Sequence, residues 1–459
     1  MIVIGAGPGG YVAAIRAAQL GMKIACVEKE ALGGTCLNVG CIPSKALLDA
    51  SERYYEAKHT FARRGIKIEG SISVDLPTMM SRKSEVVKSL VNGVGFLFKK
   101  NKIEHVKGSA KITAPGKVSV VAAGASPREL TGKNIIIATG SSPSVLPSLP
   151  YDGKFILSST EILALDSIPK RLLVVGGGYI GVEMSSVWSR LGTEVLVVEF
   201  LDRILPQSDR EMALALQKSL EKQGLKFRFK TAVTGAKIEG DRVRVTFKSG
   251  DETGEELVDK VLVSVGRRPH TEGLGLAEVG VKMDARGFVV ADEKFLTSVP
   301  GIYAIGDVIG GIMLAHKAEE EGVAVAENLA GKHGHVNYAA CPSVVYTHPE
   351  LAAVGLTEDA AAARGEIKVG KFNIAANGRA KGMDQTEGFI KVIADAKTDR
   401  LLGVHIFSAH ASDMIAEATV AMEFAASAED LARSFHAHPT LPEALKEAAM
   451  AVNKHAIHA

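Results

Sequence analysis

Two stretches of the chain carry the same order of apolar and polar positions. Residues 3–28 read VIGAGPGGYVAAIRAAQLGMKIACVE, and residues 174–199 read VVGGGYIGVEMSSVWSRLGTEVLVVE. Each opens on a short apolar run, the signal of a buried strand. Each passes through a glycine-rich turn into an amphipathic helical pattern that stops at Leu20-Gly21 or Leu191-Gly192. Each returns to an apolar run ending on an acid, Glu28 or Glu199. The copies align without a gap at an offset of 176 − 5 = 171, and both acids stand 23 residues after the first glycine. The pattern predicts two strand–helix–strand units.

Between and beyond these units the pattern is coarser. It predicts a long helical insert over 44–100, a helix at the Ala-rich run 360–363, strands over 383–404 and an apolar helix over 411–426. Four segments result. Residues 1–141 carry the first unit, 142–268 the second, 269–338 return to the first, and 339–459 form a separate strand-and-helix domain. No Pro/Gly/Ser linker divides them. The expected fold class is α/β, with two Rossmann-like dinucleotide-binding domains and a C-terminal α+β domain.

The turns explain what the units are for. Gly5, Gly7 and Gly10 form one G-x-G-x-x-G, and Gly176, Gly178 and Gly181 the other. In such a turn the first glycine permits the tight bend, the second lets the backbone approach a pyrophosphate, and the third lets helix pack on strand. The helix N-terminus then faces the phosphate charge, and the acid accepts hydrogen bonds from a ribose. Two dinucleotide sites on one chain suggest electron transfer between two cofactors, a flavin and a nicotinamide dinucleotide, without saying which site is which.

Composition narrows the field further. With 54 Lys and Arg against 52 Asp and Glu, the net charge of +2 gives no reason to expect nucleic acid or a membrane surface as partner. The short basic run Lys99, Lys100 and Lys102 reads as solvated surface. No apolar run reaches the length of a membrane span, and Met1-Ile2-Val3-Ile4 reads as neither a signal nor a transit peptide. Four cysteines in 459 residues are too few for a secreted scaffold. The expectation is a soluble cytoplasmic protein (of the mitochondrial matrix if a presequence has been removed), in which any disulfide is catalytic.

Cys36 and Cys41 lie in GGTCLNVGCIPSK, five residues apart, with Pro43 where a helix would begin. A helix N-terminus stabilises a thiolate. Two small buried residues or half of a Cys₄ zinc site are the competing readings, and the zinc one fails because Cys26 and Cys341 stand alone. No metal is expected.

This segment resembles, almost letter for letter, the redox-active disulfide of the dihydrolipoamide dehydrogenases, a branch of the pyridine nucleotide–disulfide oxidoreductases. The resemblance runs down the chain. Ala138-Thr139-Gly140-Ser141 is similar to the family's crossover out of the flavin domain, and Val265-Gly266-Arg267-Arg268-Pro269 to its return. Asp307, in IYAIGD, resembles the acid that binds the ribitol, and Met313-Leu314-Ala315-His316 the segment whose backbone touches the flavin. The resemblance therefore implies FAD on the first unit and NAD on the second, with Lys45 and Glu183 as an ion pair beside the rings. It sets Ala110 and Val233 near the adenines.

In HAHPTLPE, His438 precedes a proline and Glu443 follows five residues later, able to orient one imidazole nitrogen. The motif resembles the family's catalytic base, and oxidising a protonated dithiol needs one. His436 reads as a packing neighbour. By the same resemblance Cys36 exchanges with substrate and Cys41 faces the flavin. The last segment becomes the interface (dimerisation) domain of an obligatory homodimer with shared active sites. Its partners would be the lipoyl domains and the peripheral-subunit-binding domain of 2-oxo acid dehydrogenase complexes, or glycine cleavage.

Rival readings fit less well. A glutathione reductase would bind NADP through arginines where Glu199 and Leu205 stand, and a mercuric reductase would carry a cysteine pair after Cys341. A vestigial binding subunit would show a broken motif, and a flavin redox sensor has no need for a second nucleotide unit. The chain departs from the family at Cys341, at Ser408-Ala409 where Gly-Pro is usual, and in starting directly on the first strand.

Overall fold

The computed structural model describes residues 1–458. Its centre is a five-stranded parallel sheet in the order Ile302–Ala304, Ile135–Ile137, Ile2–Ile4, Ala25–Glu28, Glu104–Lys107. Strands covered on both faces read as unbroken apolar runs; Ile135, Ile136 and Ile137 are all fully buried. The edge strand Ile302–Ala304 comes from the far side of the second unit, so this sheet is completed only after the chain has left and returned.

The second unit forms its own parallel sheet, in the order Lys226–Arg228, Glu194–Val198, Arg171–Val175, Lys260–Val263, Ile156–Leu157. The two crossings lie side by side: Ser141–Pro143 pairs antiparallel with Arg267–Pro269. The helix Pro8–Gln19 packs closely on Ala315–Leu329. A Cβ on Gly322 would stand 2.6 Å from the Gly9 carbonyl oxygen.

The C-terminal part is an antiparallel five-stranded sheet, ordered Ser343–Val345, Glu350–Gly355, Leu401–Ser408, Phe389–Asp395, Ile367–Asn373. Helices Ala411–Glu423, Ala428–Arg433 and Glu443–Val452 pack against it around one apolar core. Its surface keeps Val420, Phe424 and Phe435 exposed.

Local structure differs from the expected pattern in two places. The insert is two helices, Cys41–His59 and Leu76–Lys100, not one. Gly65 and Gly70, both at positive φ, break it, and Asp75 starts the second helix by accepting the Thr78 N–H. The strand expected from 383 begins at Phe389, because Asn377 caps a short helix, Gly378–Met383, which ends at left-handed Asp384. The helices near 360 and 411 run over Glu358–Ala362 and Ala411–Glu423.

Candidate active site

The two glycine turns have the same anatomy. Gly5 and Gly176 have φ of +97° and +106°, and a Cβ there would stand 2.4 Å from the Ala138 oxygen and 2.5 Å from that of Ser264. A Cβ on Gly10 or Gly181 would come within 1.9 or 2.0 Å of the first glycine's carbonyl oxygen. The middle glycines face open space: a Cβ on Gly178 would meet nothing within 4 Å, and one on Gly7 only the Gly34 Cα at 4.0 Å. That is a cradle which a side chain would fill and a phosphate can enter. The acids also match. Glu28 accepts the N–H groups of Ala6 and Glu30, both at 2.8 Å, and Glu199 those of Gly177 at 2.6 Å and Leu201 at 2.8 Å. Both carboxylates are thus fixed beside the turn. Near Glu199, Arg203 is already paired with Asp202 at 2.9 Å.

Cys36 lies within the helix Gly34–Val39, and Cys41 is the first residue of Cys41–His59. This start is two residues earlier than Pro43 suggested. The two thiols are free and lie close together. The neighbouring Cys36 thiol, with the Lys45 ammonium nearby, lowers the Cys41 thiol to about 7 against the opposing effect of burial. The closeness of Cys41, together with burial, pushes Cys36 up. The pair is electrostatically asymmetric, with the negative charge favoured on Cys41.

Lys45 Nζ pairs with Glu183 Oε2 at 2.9 Å. Burial pulls the ammonium down, but Glu183 more than offsets it and holds Lys45 above its ordinary value. Asp307 accepts from the Ser141 hydroxyl, whose oxygen accepts Arg267 Nε at 2.7 Å. Thr139 Oγ1 donates to the His270 carbonyl at 2.7 Å, and His270 N–H to Gly140 at 2.9 Å, tying the outgoing crossing to the return. Gly140 and Gly266 both take positive φ there. Met313 and Leu314 lead into the helix Ala315–Leu329, whose first turn carries His316, with Nε2 2.7 Å from the Pro342 carbonyl. Ala110 pairs with Val120 in a small antiparallel sheet, and the Val233 carbonyl accepts from Ser148 at 3.2 Å.

His438 is exposed, with Nδ1 2.8 Å from Glu443 Oε1, while Glu443 Oε2 accepts the Thr440 N–H at 2.8 Å. Among the described residues of this chain, no hydrogen bond or ion pair joins His438 to the cysteine segment. His436 is buried against Glu417 at 2.7 Å, with its other nitrogen 3.1 Å from the Ser434 carbonyl, so packing occupies both ring nitrogens.

Several residues that support the site escaped the motif reading. The buried pair Lys317–Glu321, 2.9 Å apart, grips the Asp307 turn: Lys317 donates to the carbonyls of Gly306 and Gly310, and Glu321 accepts the Gly306 N–H at 2.6 Å. Charges at i and i+4 on a helix face otherwise made of Ala318, Gly322 and Val325 were the available signal. Tyr346 gave none. Its N–H donates to Glu183 Oε1 at 3.0 Å, and its ring centre lies 4.3 Å from Lys45 Nζ.

This geometry has close relatives. The model for the pyridine nucleotide-disulphide oxidoreductases matches residues 1–322, and that for their dimerisation domain residues 341–449. The chain belongs to this family. It is 53% identical over 463 residues to the mitochondrial dihydrolipoyl dehydrogenase 1 of Arabidopsis thaliana, spanning 100% of this chain and 91% of that one. It is 55% identical to the leghemoglobin reductase of Vigna unguiculata, over 98% and 87% of the two lengths. The crystal structure of LpdA from Mycobacterium tuberculosis superposes with a TM-score of 0.91 at 28% identity, covering 98% of each chain. The flavoprotein disulfide reductase RclA from Escherichia coli gives 0.86 at 29% identity, again over 98% of each. The expected fold class holds, and the C-terminal part is the family's dimerisation domain, that of a homodimer. The family uses FAD and NAD⁺, and the chain is an NAD-dependent flavoprotein disulfide oxidoreductase.

Proposed function

We infer that the protein oxidises a dihydrolipoyl group to its cyclic disulfide and reduces NAD⁺. The observation that carries this reading is the asymmetric pair at a helix start, with Cys41 favoured as thiolate beside Lys45 and Cys36 left for exchange.

The residues fit both cofactors. Gly5, Gly7 and Gly10 with Glu28 would hold FAD at its pyrophosphate and ribose. Asp307 would hold the ribitol, and Ala110 would stand near the adenine. Lys45, the crossing at Thr139, Gly140 and Ser141, and the backbone of Met313, Leu314, Ala315 and His316 would line the rest. Gly176, Gly178, Gly181 and Glu199 would hold NAD, with Glu183, Val233 and Gly266 around it. Bound FAD supplies the two-electron relay between the cysteine pair and NAD⁺.

The chain's own residues do the rest. In the oxidised enzyme Cys36 and Cys41 form a disulfide. His438, oriented by Glu443, takes a proton from one substrate thiol. The substrate thiolate attacks the Cys36 sulfur, and Cys41 leaves as a thiolate stabilised by Lys45. The second substrate thiol attacks the substrate sulfur of the mixed disulfide; the departing Cys36 sulfur takes up the proton that His438 holds, and His438 receives the proton of the second thiol. The cyclic disulfide departs and Cys36 is left reduced. His438 would reach the cysteines of the other subunit, making two shared sites. The domain boundaries proposed are 1–141, 142–268, 269–338 and 339–459, supported by the paired crossings at Ser141–Pro143 and Arg267–Pro269. Lipoyl domains and the peripheral-subunit-binding domain of 2-oxo acid dehydrogenase complexes are the proposed partners. Relatives named as mitochondrial favour the matrix as compartment, and among the described residues no helix is long and apolar enough to cross a membrane.

The test is NAD⁺ reduction with dihydrolipoamide, followed at 340 nm, with NADP⁺ in parallel. Activity with NAD⁺ alone is expected, because Glu199 would repel a 2′-phosphate. A yellow protein that ignores dihydrolipoamide but reduces another disulfide with NADPH would sink the substrate reading.

A further inference from the structure

Side chains from three distant parts of the chain meet at the Lys45 ammonium. Lys45 itself stands on the helix Cys41–His59, one turn after Cys41. Glu183 comes from the helix Tyr179–Arg190 and pairs with it at 2.9 Å. Tyr346 follows directly on the strand Ser343–Val345 of the dimerisation domain, and its ring centre lies 4.3 Å from Lys45 Nζ. The same tyrosine donates its backbone N–H to Glu183 Oε1 at 3.0 Å, leaving Oε2 for the lysine.

A lysine on a flexible four-carbon stem, with one carboxylate partner, tends to follow that carboxylate. Glu183 also works against the thiolate, since its charge raises the Cys41 thiol while Lys45 lowers it. A second acid beside Lys45 would neutralise the cation. An aromatic face attracts the ammonium through its quadrupole and leaves the positive charge intact to act on its neighbour.

We propose that Tyr346 is a positioning residue for the Cys41 thiolate: its ring holds the Lys45 ammonium and its backbone N–H holds Glu183, so that the cation stays beside the sulfur. The dimerisation domain thereby sets the electrostatics of the redox pair from outside both nucleotide-binding units. The groups facing Cys41 are Cys36 and Lys45 from its own segment, Glu183 from Tyr179–Arg190, Arg267 from the return strand, and Tyr346. Tyr346 itself is faced by Glu350 as well as Glu183. The ring also packs against the core around Leu47, Leu48 and Trp188. A packing role alone predicts loss of stability when the ring is removed, with no change in where the thiolate titrates.

This proposal rests on the reading of Cys41 as the flavin-facing thiolate but not on the substrate, so the test uses dithionite as reductant. The full-length holoenzyme is reduced by two electrons, and the long-wavelength thiolate–flavin absorbance is followed from pH 5 to 9. In the native protein the band should be present above a midpoint near pH 7, where the thiol is ionised, and fade below it. Tyr346→Leu should move that midpoint up by ~0.5–1 pH unit, the size of an exposed to half-buried cation–π contact. Tyr346→Phe, which keeps the ring, should restore it. Tyr346→Met is the second ringless variant should leucine fail to fold, and flavin content checks both. A native-like midpoint in either folded ringless variant would overturn the proposal, as would a Phe variant shifted as far as the ringless ones. No band in the native protein would instead overturn the reading of Cys41, and the proposal with it.

Discussion

Glu443 shows how one side chain readies another. Its Oε2 accepts the Thr440 N–H and its Oε1 faces His438 Nδ1, so the local backbone, not a mobile partner, aims the carboxylate. Burial pushes the Glu443 carboxyl up, but the Thr440 N–H and the imidazole outweigh it and hold the group below the usual carboxylate range. It therefore stays ionised at neutral pH and can keep the proton on Nδ1, leaving Nε2 free to accept one from a thiol. Glu443→Gln keeps the shape and removes the charge. Its turnover with dihydrolipoamide should fall by ~10²-fold, the contribution of a positioned base, with flavin content unchanged. Steady-state kinetics on the purified holoenzyme checks this, and a loss below threefold would remove Glu443 from the mechanism. His436, two residues from His438, has both ring nitrogens occupied by Glu417 and a backbone carbonyl, which is why the same residue type does different work here.

At the scale of elements, the two strand–turn–helix units separate folding from binding within four residues. Gly181 touches the Gly176 carbonyl, so Gly181→Ala must push the helix off the strand, an overpacking of ~1–3 kcal/mol. Gly178 faces open space, so Gly178→Ala should leave the melting temperature within about a degree or two of native and weaken NAD⁺ binding at least ~10-fold by intruding on the phosphate approach. Thermal melts and NADH titration of the two variants test this, and equal loss of stability in both would refute it. These units were legible in the sequence because every glycine answers a constraint within its own turn. The break between His59 and Leu76 was less legible: Gly65 and Gly70 were visible, but the apolar spacing on either side resembled one helix. The contact of Tyr346 with Lys45 was not legible at all. It joins positions 346 − 45 = 301 residues apart, through packing that no local pattern encodes.

At the scale of the molecule, the parts are joined by buried charge as well as by apolar surface. Lys391, fully buried in the dimerisation domain, reaches Asp209 and Glu211 at the start of the helix Arg210–Lys222, both at 2.8 Å, and Glu358 at 2.7 Å. Burial opposes its charge, yet the carboxylates hold Lys391 well above its ordinary value. Removing one side of such a cluster costs ~3–5 kcal/mol, because an uncompensated charge stays behind. This joint fixes the second strand–turn–helix unit against the domain that carries His438. His438 nevertheless makes no hydrogen bond or ion pair with the cysteine segment of its own chain among the described residues, and Val420, Phe424 and Phe435 stay exposed on the same domain. A two-fold partner would cover that surface and bring each His438 to the other chain's Cys36. Complementation decides the matter. Cys36→Ser and His438→Gln each inactivate a homodimer. If sites are shared, a heterodimer of the two variants rebuilds one intact site, from the wild-type cysteine of one chain and the wild-type histidine of the other. Equal mixing gives half heterodimers, each with one of two sites working, so activity should return to about a quarter of native. If each chain supplied both groups to its own site, every site in the mixture would carry a lesion and no activity would return.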